Sequence, residues 1–365
     1  MNRKMKNYVI CILIPAFILG GLVLSLLLPD QTFSDAERRK LMAMPTVSIN
    51  SIETGKFMKD FEEYTQDQFP AREMLRSLKA GTFKKVFLRK DYHNLYEEDG
   101  YLAAMEYPLD ESSIKRASER FLYICQKYKK PDSKVYFSVI PDKNMFLGKK
   151  SGHLSIDYEE FEKKIRDMTG FAEFISIDDL LSIDDYYRTD THFRQEKIVD
   201  VADRLLKSMK APFDAQYKTF TALEEFEGVY KGQMAGNAPA EPLKYLWGGH
   251  MDSFRVYDLQ NNKEIGIYEE AKLKGKDPYE FFLSGPLSLL TIENPDAEND
   301  RNLVVFRDSF ASSIGPLLAE GYKKVTFADI RYIYPDYLDQ FISFENSDIL
   351  FLYSTLVLNN SETMK

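Results

Sequence analysis

The first thirty residues carry a long apolar run. Arg3, Lys4 and Lys6 precede it, and residues 8–28 then continue without a charged side chain. As a helix rising about 1.5 Å per residue, this run is about 31 Å long, enough to cross a bilayer. Basic residues before the run predict that the chain after it lies outside the cytoplasm. A cleaved signal peptide is the alternative, but its apolar region is normally shorter and ends in small residues, whereas this run ends in three leucines.

Residues 30–95 have the spacing of amphipathic helices. Phe57, Phe61 and Tyr64 recur at i, i+4 and i+7, and Pro70 interrupts the pattern before a second amphipathic stretch. We therefore expect residues 1–29 to form a cytoplasmic N-terminus and a single-pass membrane anchor, followed by a helical stalk over residues 30–95.

Residues 96–365 alternate between helical spacing and short apolar runs typical of buried strands. The strand-like runs read KVYFSVIP, FAEFISID, NLVVF, KKVTFAD and DILFLYS. Strands separated by helices predict an α/β domain with a mainly parallel, helix-covered sheet. The rhythm breaks at about 212–300, where residues 254–269 indicate a hairpin with Asn261 and Asn262 near its turn, so a β-rich insertion is expected there.

The composition argues against nucleic-acid binding, a disulfide framework and a metal site. Acidic residues outnumber basic ones by 57 to 48, which argues against a nucleic-acid partner. Two cysteines and four histidines leave no disulfide framework and too few ligands for a metal site, so neither a metal nor another cofactor is expected.

Polar residues follow the predicted strands. In a parallel, helix-covered sheet, ligands bind beyond the carboxyl ends of the strands. The residues found there are Asp142, Lys143, Arg307, Asp308, Ser309, Asp329, Arg331, Thr355 and Asn359. The loop that holds Asp190, Thr191 and His192 is expected at the same edge.

Ser309 is the candidate nucleophile, because it stands between a strand and the helix that follows. A serine hydroxyl needs a neighbouring base, which His192 supplies, while Asp190 holds the imidazole in the required tautomer. Positions i and i+2 of an extended loop point the same way, which keeps Asp190 beside His192. The alternative is that Asp308, Ser309 and Asp190 only cap helices.

Two motifs resemble a known family. RTDTHF is similar to the DxHW signature of the DHHW family and of the related alginate O-acetylation proteins, and FRDSFASS resembles their GDSF nucleophile block. FEEYTQDQFPARE and DILFLYSTLVLNN resemble further DHHW segments. The resemblance implies a three-layer α/β/α SGNH-hydrolase-like domain in circularly permuted order, with Asp190, His192 and Ser309 as the catalytic triad. Phe193 stands where the family has tryptophan, and Arg307 stands where it has glycine.

The resemblance also implies a function. We expect an extracytoplasmic O-acyltransferase, with acetyl as the expected acyl group, acting on a cell-envelope polysaccharide or exopolysaccharide. No acetyl-CoA is available outside the cell, so a membrane-bound O-acyltransferase partner is implied as the donor. Two alternatives stay open: a polysaccharide O-acetyl esterase with the same triad, and a non-catalytic polysaccharide-binding or assembly protein, for which Arg307 is the best clue.

Further polar residues are candidates for binding substrate or an oxyanion, namely Arg307, Asp308, Lys143, Arg331 and Asn359. For Lys143, Arg331 and Asn359, a cap or a salt bridge explains the residue equally well. His250, beside Trp247 and two glycines, is interpreted as packing of the insertion, with a sugar-binding loop as the alternative.

Overall fold

A computed structural model describes residues 3–34, 37–86, 91–234 and 238–365. The chain divides into two compact units. The first comprises Met1–His93 with Lys231–Asn237, and the second comprises Asn94–Tyr230 with Ala238–Lys365.

The first unit is mostly helical. Its helices are α1 (Arg3–Leu27), α2 (Ile49–Glu53), α3 (Lys56–Asp67) and α4 (Arg72–Lys85), and its strands are β1 (Phe33–Ser34), β2 (Arg39–Lys40) and β3 (Asp91–Tyr92). Among the described residues, α1 alone is long and apolar enough to cross a membrane, over Asn7–Ser25, as an anchor or a signal sequence. On α3, the rings of Phe57, Phe61 and Tyr64 stack in sequence at centroid distances of 5.8 and 6.2 Å, as their spacing predicts.

The second unit is an α/β domain. Its helices are α5 (Glu111–Tyr128), α6 (Lys143–Ser151), α7 (Tyr158–Met168), α8 (Val199–Ser208), α9 (Val229–Met234, which continues into the first unit), α10 (Ala311–Leu318) and α11 (Thr355–Asn359). Its strands are β4 (Leu95–Glu98), β5 (Tyr101–Ala104), β6 (Val135–Ile140), β7 (Glu173–Phe174), β8 (Tyr217–Phe226), β9 (Glu241–Gly248), β10 (Arg255–Asp258), β11 (Lys263–Ile265), β12 (Leu289–Glu293), β13 (Asn302–Arg307), β14 (Lys324–Ala328) and β15 (Ser347–Ser354). Short 3-10 helices cover Asp178–Leu180, Ile183–Asp185, Gln195–Lys197, Met251–Ser253, Glu270–Lys274, Pro278–Phe281, Ala319–Gly321, Pro335–Gln340 and Ser361–Thr363.

The central sheet is mixed. Its eight strands have the order β11-β10-β12-β14-β13-β15-β6-β7. The five from β14 to β7 run parallel, as predicted, whereas β12, β10 and β11 are antiparallel to their neighbours. The hairpin predicted around Asn261 and Asn262 is confirmed as β10–β11.

The region interpreted as a β-rich insertion contributes strands to two sheets. Its strands β10, β11 and β12 extend the central sheet, while β8 and β9 pair with each other alone. Apolar side chains on β12 explain the difference, because Leu290 and Ile292 are fully buried and β12 pairs with β14 over five residues.

Helices cover both faces of the sheet. Strands β13 and β15 point alternate residues to opposite sides. One face joins a buried cluster that includes Val304, Phe306, Ile349 and Phe351 with Phe121 of α5 and Ile165 of α7. The other joins a cluster that includes Leu303, Val305, Leu350 and Leu352 with Leu205 of α8 and Ile314 of α10. Helix α8 turns an apolar face to the sheet, since Val201, Ala202, Leu205 and Leu206 are all fully buried.

Candidate active site

Ser309 lies in the tight turn between β13 and α10. Asp308 fixes this turn, because its carboxylate accepts hydrogen bonds from the backbone N–H of Phe310 (3.0 Å) and of Ser354 at the end of β15 (2.7 Å). The residues on either side of Ser309 are buried, whereas Ser309 itself is half-exposed. The turn therefore holds the hydroxyl at the carboxyl edge of the parallel strands, and Asp308 supports the turn.

A chain of hydrogen bonds joins Ser309, His192 and Asp190. The Oγ of Ser309 lies 2.8 Å from Nε2 of His192, and Nδ1 of His192 lies 2.6 Å from Oδ1 of Asp190. Asp190 is fully buried, and its carboxylate also accepts from the backbone N–H of His192 (3.1 Å) and of Val229 (2.9 Å). A carboxylate at Nδ1 favours the tautomer whose Nε2 is free to accept the serine proton.

Aromatic rings hold the imidazole in place. Tyr279 stacks on His192 with centroids 3.8 Å apart and planes 5° apart, and Phe310 lies on it at 4.9 Å. The Tyr279 hydroxyl donates to Ser313 Oγ at 2.9 Å. Phe193, in the place of the family's tryptophan, is fully buried and packs edge-on against Phe310 at 5.1 Å. Phe193 therefore belongs to the aromatic packing around the imidazole.

The loop before His192 is anchored by two residues that sequence reasoning missed. A Cβ on Gly228 would lie 2.4 Å from Cβ of Asp190, so only glycine allows this close approach. Glu241 accepts hydrogen bonds from the backbone N–H groups of Arg188 and Thr189 and pairs with Arg194 at 2.7 Å. Gly228 had only a weak signal, as an isolated glycine between Glu227 and Val229. Glu241 and the stacking Tyr279 belong to no motif.

Lys143 lies beneath the same loop. Its ammonium donates to the backbone carbonyls of Tyr187 (3.0 Å) and Arg188 (3.3 Å) and lies 5.0 Å from the ring of Tyr230. Burial lowers the pKa of Lys143 to about 7, against the opposing effect of Asp190. Lys143 is almost fully buried, and its ammonium is bonded to the backbone of the loop.

Arg307 is buried and bonded to residues other than the nucleophile. One guanidinium nitrogen donates to Asp308 O (3.2 Å) and Ser312 Oγ (3.0 Å), and the other donates to the carbonyls of Gly285 (3.4 Å) and Leu287 (3.2 Å). Burial lowers the pKa of Arg307, while Asp329 opposes that change. Its hydrogen bonds tie the end of β13 to a neighbouring loop, and none of them reaches Ser309.

Two other candidates are bonded to neighbouring parts of the fold. Arg331 forms a two-pronged pair with the buried Asp329 at 2.9 and 2.7 Å. Burial opposes the charge of Arg331, but this pair raises its pKa above the ordinary value. Asn359 accepts from the backbone N–H of Asp110 (2.7 Å), donates to Pro108 O (3.0 Å) and contacts Glu106, so its amide serves the start of α5 rather than Ser309.

His250 contacts Glu320, which agrees with the interpretation that it packs within the 212–300 region. Its backbone N–H donates to both carboxylate oxygens of the buried Glu320, at 3.1 and 3.0 Å. Across the described residues, no three His, Cys, Asp or Glu side chains are grouped as a metal ion requires.

One backbone donor is available beside the nucleophile. Within the described part of the chain, the N–H of Ser309 has no acceptor, and it lies just before the N-terminus of α10. A free N–H at the start of a helix suits an oxyanion. The arrangement therefore provides a hydroxyl, a base, a carboxylate behind the base and a donor for developing negative charge.

Comparison with solved structures supports the fold. A DHHW family protein from Eubacterium siraeum DSM 15702 matches with a TM-score of 0.58 and 19% identity, over 74% of this chain and 93% of that one. The two chains share a fold. Bacillus cereus PatB1, solved with a sulfonyl adduct, matches with a TM-score of 0.58 and 18% identity, over 72% of this chain and 95% of that one. The expected resemblance to the DHHW family is confirmed at the level of fold.

A further solved structure is less similar. The O-acetyltransferase domain of Pseudomonas putida AlgJ matches over 73% of this chain and 92% of that one, but with a TM-score of 0.44 and 10% identity. No protein-family model matches the chain, and no curated protein is significantly similar to it in sequence.

Proposed function

We propose that this protein is a membrane-anchored, extracytoplasmic O-acyltransferase that transfers an acyl group, with acetyl expected, to a polysaccharide through Ser309. The observation that carries the proposal is the hydrogen-bonded chain from Ser309 Oγ through His192 to Asp190, at 2.8 and 2.6 Å. Such a chain activates a serine hydroxyl, which is a weak nucleophile by itself.

The first half-reaction loads the acyl group. Nε2 of His192 accepts the Ser309 proton while Oγ attacks the acyl carbonyl, and Asp190 stabilises the imidazolium. The carbonyl oxygen becomes an oxyanion, which the N–H of Ser309 can bind. Collapse breaks the bond to the donor's leaving group. That group takes the proton from His192, and an ester on Ser309 remains.

The second half-reaction reverses these roles. A sugar hydroxyl gives its proton to His192 and attacks the ester carbonyl, and a second oxyanion forms at the same N–H. When it collapses, the acyl group stays on the sugar and the proton returns to Ser309. Water in place of the sugar makes the same site an esterase, so the acceptor alone separates the two activities.

The proposed location outside the cytoplasm calls for a membrane anchor and for an acyl donor in the membrane. The apolar Asn7–Ser25 segment is the membrane anchor of this proposal, and a membrane-bound O-acyltransferase is the donor that the family resemblance implies. The non-catalytic alternative depended on Arg307 filling the oxyanion pocket. The hydrogen bonds of Arg307 go to Asp308, Ser312, Gly285 and Leu287, and they favour the catalytic proposal.

Trapping of the acyl-enzyme tests the proposal. Sulfonyl reagents modify nucleophilic side chains, and PatB1 was solved with a sulfonyl adduct. We expect phenylmethylsulfonyl fluoride and p-nitrophenyl acetate each to add one group to Ser309, located by peptide mass spectrometry. Ser309→Ala should abolish both the label and acetate release, and His192→Ala should slow release by about 10³-fold or more. Asp190→Asn should cost less than Ser309→Ala if Asp190 orients the imidazole.

Three results contradict the proposal or refine it. Equal acetate release by wild type and Ser309→Ala would reject the triad. A label on another serine, such as the buried Ser313, would reject Ser309 as the nucleophile. If the triad is active but adding a soluble glycan yields only free acetate and no acetylated sugar, the protein is the esterase.

A further inference from the structure

Tyr279 brings the region interpreted as a β-rich insertion into contact with the catalytic base. It is buried and lies in the 3-10 helix Pro278–Phe281, where Asp277 accepts a hydrogen bond from its backbone N–H at 3.0 Å. Its ring lies parallel to the imidazole of His192, with planes 5° apart and centroids 3.8 Å apart. Neutral aromatic pairs prefer an offset or edge-on arrangement with centroids roughly 4.5–7 Å apart, so this close parallel pair calls for an explanation.

The hydroxyl of Tyr279 is bonded to the helix that follows the nucleophile. It donates to Oγ of Ser313 at 2.9 Å, and Ser313 lies in the first turn of α10, four positions after Ser309. The Oγ of Ser313 in turn donates to the carbonyl of Phe310 at 3.3 Å. One side chain therefore contacts the base with its ring and the helix of the nucleophile with its hydroxyl.

A second side chain joins the segment of the base to the same serine. Gln195 is fully buried three positions after His192, and its Nε2 donates to the carbonyl of Ser313 at 2.7 Å. Its Oε1 accepts from the backbone N–H of Leu246 on β9 at 2.8 Å, which fixes the orientation of the amide. Ser313 is thus the residue of α10 to which both Gln195 and Tyr279 are bonded.

The chemistry of the triad gives the close stack a role. When His192 accepts the proton of Ser309, the imidazole becomes a cation whose face lies against the face of the Tyr279 ring. A cation over an aromatic face is attracted by the π electrons of the ring, and more strongly where water is excluded. Asp190 stabilises this cation in the plane of the imidazole through Nδ1, whereas Tyr279 acts from its face. An interaction that is stronger in the charged state than in the resting state lowers the barrier to transfer.

We propose that Tyr279 is a positioning residue of the triad, which holds His192 against Ser309 and stabilises the imidazolium through its ring. This inference rests on the proposed function and adds one residue to its machinery. The hydroxyl, bonded to Ser313, sets the position of the ring, and the ring acts on the charge of the base. Mutation can separate these two contributions.

Hydrolysis of p-nitrophenyl acetate by the full chain in nanodiscs measures both contributions. We expect Tyr279→Leu, which removes the ring and the hydroxyl, to lower kcat about 10-fold or more with little change in KM. Tyr279→Phe keeps the ring and should lose only about 3-fold. Tyr322→Leu is the matched control and should keep the wild-type kcat. Tyr322 is also buried and its hydroxyl donates to Asp348, but it lies before β14, at the sheet edge opposite Ser309.

A double-mutant cycle tests the bond between Tyr279 and Ser313. Tyr279→Phe and Ser313→Ala each remove one side of the same hydrogen bond, so the combined variant should have the kcat of the slower single variant. Effects that multiply in the combined variant would overturn the positioning role of the hydroxyl. An unchanged kcat in Tyr279→Leu, or a raised KM with unchanged kcat, would overturn the proposal as a whole.

The position of the imidazole can be measured without turnover. Protons of an imidazole that lies on an aromatic face are shielded by the ring current, so their NMR signals move upfield. The chain has four histidines, and a His192→Gln variant of the protein labelled with carbon-13 histidine assigns the signals of His192. We expect Tyr279→Leu to move these signals downfield and Tyr279→Phe to leave them nearly in place.

The two measurements distinguish failure of this inference from failure of the proposed function. Unchanged His192 signals in Tyr279→Leu would overturn the positioning role, whether or not the protein is active. If the wild type releases no acetate while Tyr279→Leu displaces the signals, the enzyme is rejected and Tyr279 remains the residue that positions His192.

Discussion

Single residues around the imidazole show why the sequence indicated three candidate site residues, Ser309, His192 and Asp190, but not the residues that hold them in place. Ser309 follows a recognisable strand end, whereas Asp190 and His192 lie in a loop and were indicated by their i, i+2 spacing and by the motif around them. Lys143 and Asn359 also follow strands, yet the structure uses them to satisfy backbone groups around the site. Sequence position shows that a polar residue is near an edge. It does not show whether the side chain turns outward to substrate or inward to an unpaired carbonyl.

Lys143 gives a prediction at this scale. Replacing it with methionine leaves the carbonyls of Tyr187 and Arg188 without their buried donor, so the loop that carries Asp190 and His192 should loosen. A base displaced by a fraction of an ångström slows chemistry more than binding, so we expect kcat for p-nitrophenyl acetate to fall about 10-fold or more with little change in KM.

Two further measurements check the Lys143 result. Hydrogen exchange of residues 187–192 should speed up in Lys143→Met, and Lys149→Met, which changes an exposed lysine on the same helix, should behave as wild type. A higher KM with unchanged kcat would instead place Lys143 in contact with substrate.

Whole elements were predicted best where the pattern is local. The hairpin β10–β11 and the apolar face of α8 follow from spacing within a few residues. The pairing of β12 with β14 cannot be read from local spacing, because the two strands are more than thirty positions apart in the sequence. Which strand β12 pairs with depends on the completed sheet. In the sequence, the antiparallel strands β10, β11 and β12 were therefore visible only as an interruption of the alternation between helices and strands.

Glu106 links two elements and predicts a pH dependence of stability. It lies between β5 and α5, and its buried carboxylate accepts from the amides of Asn359 and Asn360 at the end of α11. Burial raises its pKa from 4.5 to about 7. The folded protein therefore keeps a proton that the unfolded chain loses between pH 4.5 and 7, and stability falls as pH rises through this window.

Glu106→Gln should remove this dependence, because the amide keeps an acceptor oxygen and never ionises. We expect the variant to match wild type near pH 4.5 and to be more stable above pH 7, by at most roughly 3 kcal/mol for this pKa difference. Denaturant unfolding at both pH values measures it. Glu159→Gln changes an exposed carboxylate on α7 and should not alter the difference. A wild-type advantage that grows above pH 7 would contradict the buried-carboxylate account.

For the molecule as a whole, the side of the membrane decides which substrates and donors it can meet. Arg3, Lys4 and Lys6 before the apolar segment predict a cytoplasmic N-terminus and an exported second unit. Labelling of introduced cysteines can show on which side of the membrane each end of the protein lies. Burial raises the pKa of the Cys125 thiol to about 12, so this native cysteine should react slowly, and Cys11 lies within the candidate span.

We expect a membrane-impermeant maleimide to label Glu159→Cys, on the exposed face of α7, in intact spheroplasts. Lys4→Cys should react only after the membrane is permeabilised. Both labels should run on the same full-length band, because an uncleaved anchor keeps residue 4 joined to the exported domain. A shorter mature band that lacks the residue-4 label would mean that the segment is a cleaved signal peptide, and the enzyme would then need another route to a membrane-bound donor. Labelling of Glu159→Cys only after permeabilisation would place Ser309 in the cytoplasm, where acetyl-CoA is available, and would remove the reason for a membrane-bound acyl donor.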